Sequence, residues 1–261
     1  MNIIHNPSTL PIRTESLKNV GIVGIPPVDF IRFLNERQVV IHDLDALLTK
    51  ADIETATAYL PKVYCAILRT VMLNGLHLNL DAIIIDVGPG KCDAAYHVAT
   101  ILEETVNIPV IRTANEDMID LGTPVCRTRM NLLKKFKTIT EGVKSANPAD
   151  GNFPACKPAA GFWGVPPRDF SILSLFPDTT HIYGWTRCME NKTPANINLE
   201  SHYNPKVPTV FFAQSFCAKT ALARHLATRH PQGLYLDVDF SAGSSAKAKI
   251  QAFLELTGVA L

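Results

Sequence analysis

Residues 21–30 read GIVGIPPVDF and residues 161–170 read GFWGVPPRDF, identical in one register at Gly, Gly, Pro, Pro, Asp and Phe. Each copy is a short apolar run ending in a Pro-Pro turn, where the pyrrolidine rings fix the backbone. An acidic residue comes next, Asp29 or Asp169, placed to cap a helix. Each copy therefore reads as the first strand–helix unit of a domain, and the chain reads as two such domains in tandem.

The downstream sequence repeats the same order more loosely. A second strand is expected at VVIHDL (39–44) and again at THIYGW (180–185), then Cys65 or Cys188, and then a third strand ending near Cys92 or Cys217. The helix-like DAAYHVATILEETV and the strand IPVIRT come after Cys92; AKTALARHLATRH and GLYLDVD come after Cys217. Strand, helix and strand at this spacing imply parallel pairing through right-handed crossovers. The stretch 145–158, SANPADGNFPACKP, has turn-forming residues without apolar periodicity and reads as the linker. The expected fold is α/β: two tandem Rossmann-like domains, 1–148 and 157–261, each with a parallel sheet and related by an internal two-fold repeat.

With 261 residues, 47% hydrophobic and 19% charged, and a formal net charge of +1, the chain has the composition of a soluble globular protein. It lacks the basic excess that drives binding to nucleic acid or an anionic membrane. MNIIHNPSTLPIRTESL is not a basic segment leading into an apolar core, and no apolar run is long enough to span a bilayer. A cytoplasmic location is expected.

The turn VGPGKCD (87–93) tests a phosphate-binding reading, because a glycine-rich turn between strand and helix offers backbone N–H groups to an anion. It matches neither GxGxxG nor GxxxxGK[ST], and Pro89 removes one donor. Cys92 is the more informative residue. Cys217 occupies the corresponding place in the second half, and Cys65 and Cys188 precede them by 27 and 29 residues. Cys92 and Cys217 fall just past the C-terminal ends of predicted strands, the edge at which open α/β sheets bind ligands, and across a two-fold between the domains Cys65 and Cys188 would converge with them on one cleft. Convergent thiolates suit zinc or an iron–sulfur cluster. No CxxC knuckle is present, so ligands donated singly from several loops favour a cubane cluster.

Three segments, LPKVYCAILRT, DAIIIDVGPGKCDAAYHVATILEETVNIPVIRT and VPTVFFAQSFCAKTALARHL with the closing GSSAKAKIQAFLEL, resemble the subunits of 2-hydroxyacyl-CoA dehydratases and benzoyl-CoA reductases. In that family a cysteine before a helix, a Cys-Asp pair after a strand and a late Phe-Cys pair hold a [4Fe-4S] cluster. The matching positions here are Cys65, Cys92 with Asp93, and Phe216 with Cys217. The resemblance implies a cluster on Cys65, Cys92 and Cys217, with Cys188 as candidate fourth ligand or that iron site left open. It implies an iron–sulfur-dependent dehydratase (a lyase) or reductase (an oxidoreductase), in which a low-potential cluster between the domains delivers electrons to a small-molecule substrate such as an acyl-CoA. An ATP-dependent iron–sulfur activator would be the electron donor, and a homodimer or heterodimer is compatible with it.

Two alternatives stay open. A cofactor-free isomerase or racemase of the Asp/Glu type uses one thiol per α/β domain, although there the cysteine directly follows the strand, where this chain has Asp86 and Gln214. A non-catalytic cluster-carrying subunit is the other. Among the remaining residues, Cys126 is expected in the core at a helix start, Cys156 in the linker, His97 on a helix surface or in the core, and KKFK (134–137) on a solvated helix face. Trp163, Trp185 and Arg187 are expected to shield a cluster, stack on a planar ligand or fill a domain interface, and Asp43 and Asp86 to serve as turn and cap residues or, with a pKa raised by burial, as an acid or base.

Overall fold

The computed structural model describes residues 3–118 and 120–259. The first half forms β1 (Asn19–Val23), α1 (Val28–Glu36), β2 (Val40–Asp43), α2 (Ala66–His77), β3 (Ala82–Asp86), α3 (Asp93–Thr105) and β4 (Val110–Thr113). Its four strands are all parallel, in the order β2-β1-β3-β4. The run AIIID of β3 is buried at every position, as a central strand covered on both faces requires. α2 and α3 pack around Val71, Met72, Val98 and Leu102. α1 buries Phe30, Ile31 and Leu34. Just past its C-cap Arg37, Gln38 takes a φ of 56°, and the Val39 N–H reaches back to Leu34 O.

The second half continues with α4 (Pro124–Arg127), α5 (Leu132–Gly142), β5 (Gly161–Trp163), β6 (His181–Tyr183), α6 (Trp185–Asn191), α7 (Ile197–Ser201), β7 (Thr209–Gln214), α8 (Thr220–Arg229), β8 (Gly233–Val238) and α9 (Ser244–Leu256). Its sheet is again wholly parallel, in the order β6-β5-β7-β8. The fold is thus α/β with two four-stranded parallel sheets of the same strand order.

The chain packs into two compact units whose membership is not simply N-terminal and C-terminal. The first comprises Met1–Asp120, Val143–Pro148 and Lys192–Ala195; the second comprises Leu121–Gly142, Ala149–Asn191 and Asn196–Leu261. Residues 121–142 precede the linker in sequence, yet they belong to the second unit. Aromatic packing explains this: Phe136 of α5 meets Phe162 of β5 edge-on, with ring centroids 5.2 Å apart, and Phe170 at 6.1 Å.

Two local expectations are corrected. KKFK is only half a solvated face: Lys134 and Lys137 are exposed, but Lys135 and Phe136 are fully buried and the Lys135 Nζ donates to Thr180 O at 2.6 Å. Asp29 does not cap α1; it lies in the first turn and pairs with Arg32, while the Val28 N–H donates to Asp117 Oδ2 at 2.7 Å. Asp169 does cap, accepting from the Ser171 N–H at 2.9 Å, but the element it opens is a 3-10 turn over Phe170–Leu175. Among the described residues no helix is long and apolar enough to cross a membrane.

Candidate functional site

In the first sheet the connections run outward in opposite directions from β1 and β3, so the switch point lies between their C-terminal ends. Two cysteines stand at this edge. Cys65 is the N-cap residue of α2 and Cys92 that of α3, and both are partly exposed. Each forgoes the usual oxygen cap, since neither side chain bonds a backbone N–H of its helix. The Tyr64 phenol lies beside them, its hydroxyl donating to Ala94 O at 3.3 Å. Burial, then charge on Cys92 and on Cys65, raises the phenol pKa, so both sulfurs act on one ring.

The turn carrying Cys92 is held from beneath. Asp86, the last residue of β3, is 1% exposed, and its Oδ1 accepts from the Gly88 N–H at 3.1 Å and the Asn115 N–H at 2.9 Å. Its Oδ2 faces Lys91 Nζ at 3.4 Å. Burial raises the Asp86 carboxyl pKa, against the opposing pull of Lys91 and the two N–H donors. A Cβ at Gly88 would lie 2.7 Å from Ala114 Cα, and Gly90 has a φ of 78° with Ala195 against its open side. The glycines therefore admit neighbouring backbone and side chain to the turn, rather than an anion.

In the second unit Cys217 lies in the turn between β7 and α8, two residues before the helix N-cap Lys219. The preceding Phe216 is half exposed and has a φ of 61°, a left-handed conformation rare for a bulky residue. Cys217 also lines one end of a groove of about 1000 Å³ along α8, which reaches Arg224, Arg229, Tyr235 and Asp237. Cys188 differs from its sequence counterpart Cys65: it lies inside α6 and is wholly buried. Burial raises its thiol pKa, and a hydrogen bond from the Asn196 N–H opposes this. Nearby, Lys219 pairs with Glu200 and stands 4.9 Å over the Trp185 ring, while the Trp163 indole donates to Glu200 O at 2.5 Å. Trp163 is a core residue of the second unit, packed on Phe211.

The remaining candidates take local roles. Cys126 is buried in α4, where the Val125 and Cys126 N–H groups donate to Glu190 at 2.6 and 2.9 Å. Cys156 Sγ is 3.8 Å from His181 Nε2, and His97 is exposed on α3. Asp43 is buried and accepts from the Asp45 N–H at 3.1 Å. Gln214, at the end of β7, spans Arg168 N–H and Val238 O.

The residue pattern did not single out Tyr64, Lys91 or Asp45. Tyr64 and Lys91 each directly precede one of the candidate cysteines, which was the available signal; Asp45 carried none. Among the described residues no group of three or more His, Cys, Asp or Glu side chains stands close enough to hold a metal ion. No protein-family model matches the chain, and no curated protein matches it.

Proposed function

We propose that the chain is an iron–sulfur protein of the dehydratase/reductase type that its sequence resembles, and that its halves are copies of one unit related by an internal two-fold. Cys65, Cys92 and Cys217 would hold a [4Fe-4S] cluster, with Cys188 as the candidate fourth thiolate or that iron site left open to substrate. The observation that carries this reading is the pair in the first unit, two partly exposed thiols at the N-termini of α2 and α3 whose charges both act on the Tyr64 phenol. The donor chemistry fits: the positive ends of two long helices favour anionic sulfur. The N–H of Asn196 directed at Cys188 is the kind of hydrogen bond that tunes a ligated sulfur.

When bound, such a cluster supplies low-potential one-electron transfer. The chain's own residues present the thiols, and the Tyr64 phenol stands close enough to feel their charge. The Asp86–Asn115 hydrogen bond fixes the turn after β3 to the loop after β4. An acyl-thioester or related small molecule is the proposed substrate and an ATP-dependent iron–sulfur activator the proposed electron donor. A soluble cytoplasmic setting accords with both.

Reconstitution of the purified protein under anaerobic conditions with iron and sulfide tests the reading. The expected product is brown, and Cys65→Ser, Cys92→Ser or Cys217→Ser removes the bound iron while Cys126→Ser and Cys156→Ser do not. Iron retention in all three ligand variants would overturn the assignment.

A further inference from the structure

We infer that Lys91 is a positioning residue: its side chain turns back across Gly24 into the crevice between β1 and β3, and fastens the turn that carries Cys92 to the Asp86 and Asp45 carboxylates. It rests on the proposed role of Cys92 for its functional meaning, but not for its geometry.

Lys91 directly precedes Cys92, yet its side chain is only 11% exposed and its ammonium lies 3.4 Å from Asp86 Oδ2. A lysine gives up solvation and much rotamer freedom to be enclosed in this way, and persists there when anions meet it. The second anion is Asp45, whose Oδ2 accepts from the Gly24 N–H at 2.9 Å. Gly24 has a φ of 73°, and the position its Cβ would occupy is taken by Lys91 Nζ. The glycine after β1 thus leaves the space through which a side chain from the β3–α3 turn reaches the β1–β2 side of the crevice. The main chain of the turn is closed as well, by Lys91 N–H to Gly88 O at 3.2 Å. The next residue, Cys92, is the N-cap of α3. One side chain therefore ties the end of β3, the end of β1 and the start of α3 together at the candidate thiol. The electrostatics agree: burial raises the pKa of both carboxyls, and the Lys91 charge is the foremost influence opposing it at each.

Two lesions reach this contact by different routes. Lys91→Met removes the charge and keeps most of the stem; Gly24→Ala keeps the charge and evicts the ammonium from its seat. Amide hydrogen exchange on the intact chain, read on peptides covering residues 87–92, is expected to quicken about tenfold in both variants, with little change in β1 and β3. The double variant should exchange no faster than either alone, and Lys91→Arg should restore most of the protection. Unchanged exchange in both single variants overturns the inference. So does an equal loss of protection across the whole sheet, which would mark Lys91 as a general stabiliser. Iron uptake separates the two levels: a wild type that takes up no iron, with a turn loosened in both variants, removes the cluster reading and leaves the Lys91 clamp standing. A wild type that takes up iron, with an undisturbed turn in both variants, removes the clamp alone.

Discussion

At 21–30 the Pro-Pro turn leads into a nine-residue α-helix, whereas at 161–170 nearly the same residues lead into a six-residue 3-10 turn. In the first unit Asp29 lies on the solvent side of α1 and pairs with Arg32, and the helix N-terminus is bonded by Asp117 from elsewhere. In the second, Asp169 turns inward and accepts from both the Ser171 and the Ala242 N–H at 2.9 Å. The helix that the 3-10 turn does not supply comes instead from α5, whose Phe136 lies on Phe162 of β5. A shared local motif sets the turn, and packing of the surrounding chain decides whether a helix or a 3-10 turn succeeds it.

The strongest way to break this comparison is to separate the halves along the sequence linker. A fragment of residues 157–261 lacks α5 and leaves Phe162 and Phe170 uncovered, so it should show no cooperative unfolding transition, whereas a fragment extended back to residue 121 should recover one in circular dichroism. A fully cooperative 157–261 fragment would show that α5 is dispensable. In the intact chain, Phe136→Ala should cost about 3–5 kcal/mol in urea denaturation, the usual loss for emptying an aromatic core position.

Next in size is the pH dependence carried by Lys135. Burial lowers its pKa from 10.5 to about 8, opposed by the charges of Cys156, Cys126, Asp178 and Glu190. Between those two values the unfolded chain holds the proton that the folded chain has released, so this group makes the fold more stable as pH rises. The contribution amounts to about 3 kcal/mol across the window. Cys126, whose pKa burial raises well above 9, works in the opposite direction at high pH. The informative quantity is therefore the difference between wild type and Lys135→Met: from pH 8 to 10.5 the variant should gain less stability, or lose more, than the wild type. Parallel stability curves would contradict the assignment.

The two aspartates of the repeat give the smallest contrast. Asp169→Ala removes the acceptor for two backbone N–H groups and should cost about 1–2 kcal/mol. Asp29→Ala breaks an exposed pair and should cost no more than about a few tenths of that unit. Partial burial pushes the Asp169 carboxyl pKa up, but the hydrogen bonds from Ser171 and Ala242 together outweigh it and hold the group below its usual range. Its contribution is therefore present above the ordinary carboxylate pKa, about 4, and should fade as pH falls through the lowered value. Equal losses at both positions would erase the distinction between the copies.

Much of this architecture is legible in the residues. Apolar runs and helical periods locate the eight strands of the described residues near their observed positions, and Cys126 reads correctly as a core residue at a helix start. Amphipathic α5 is legible as a helix with one apolar face, but its period does not say which sheet that face will cover. Lys135 reads as solvated because a charge is expected in water, whereas in the fold Thr180 O, just before β6, gives its buried ammonium an acceptor. The cysteines divide in the same way. The matched spacing of the two pairs follows from the repeat, whereas the difference between Cys65 at a helix start and Cys188 within a helix depends on where α6 begins. The reach of Lys91 across Gly24 has no periodic signature, since it joins two loops separated by α1, β2, α2 and β3.

The measurement that bears most directly on the proposed function is the iron and acid-labile sulfide content of the chain after anaerobic reconstitution. About four irons and four sulfides per chain, lost together in Cys65→Ser and Cys92→Ser, is the predicted result. A colourless protein without iron would contradict it.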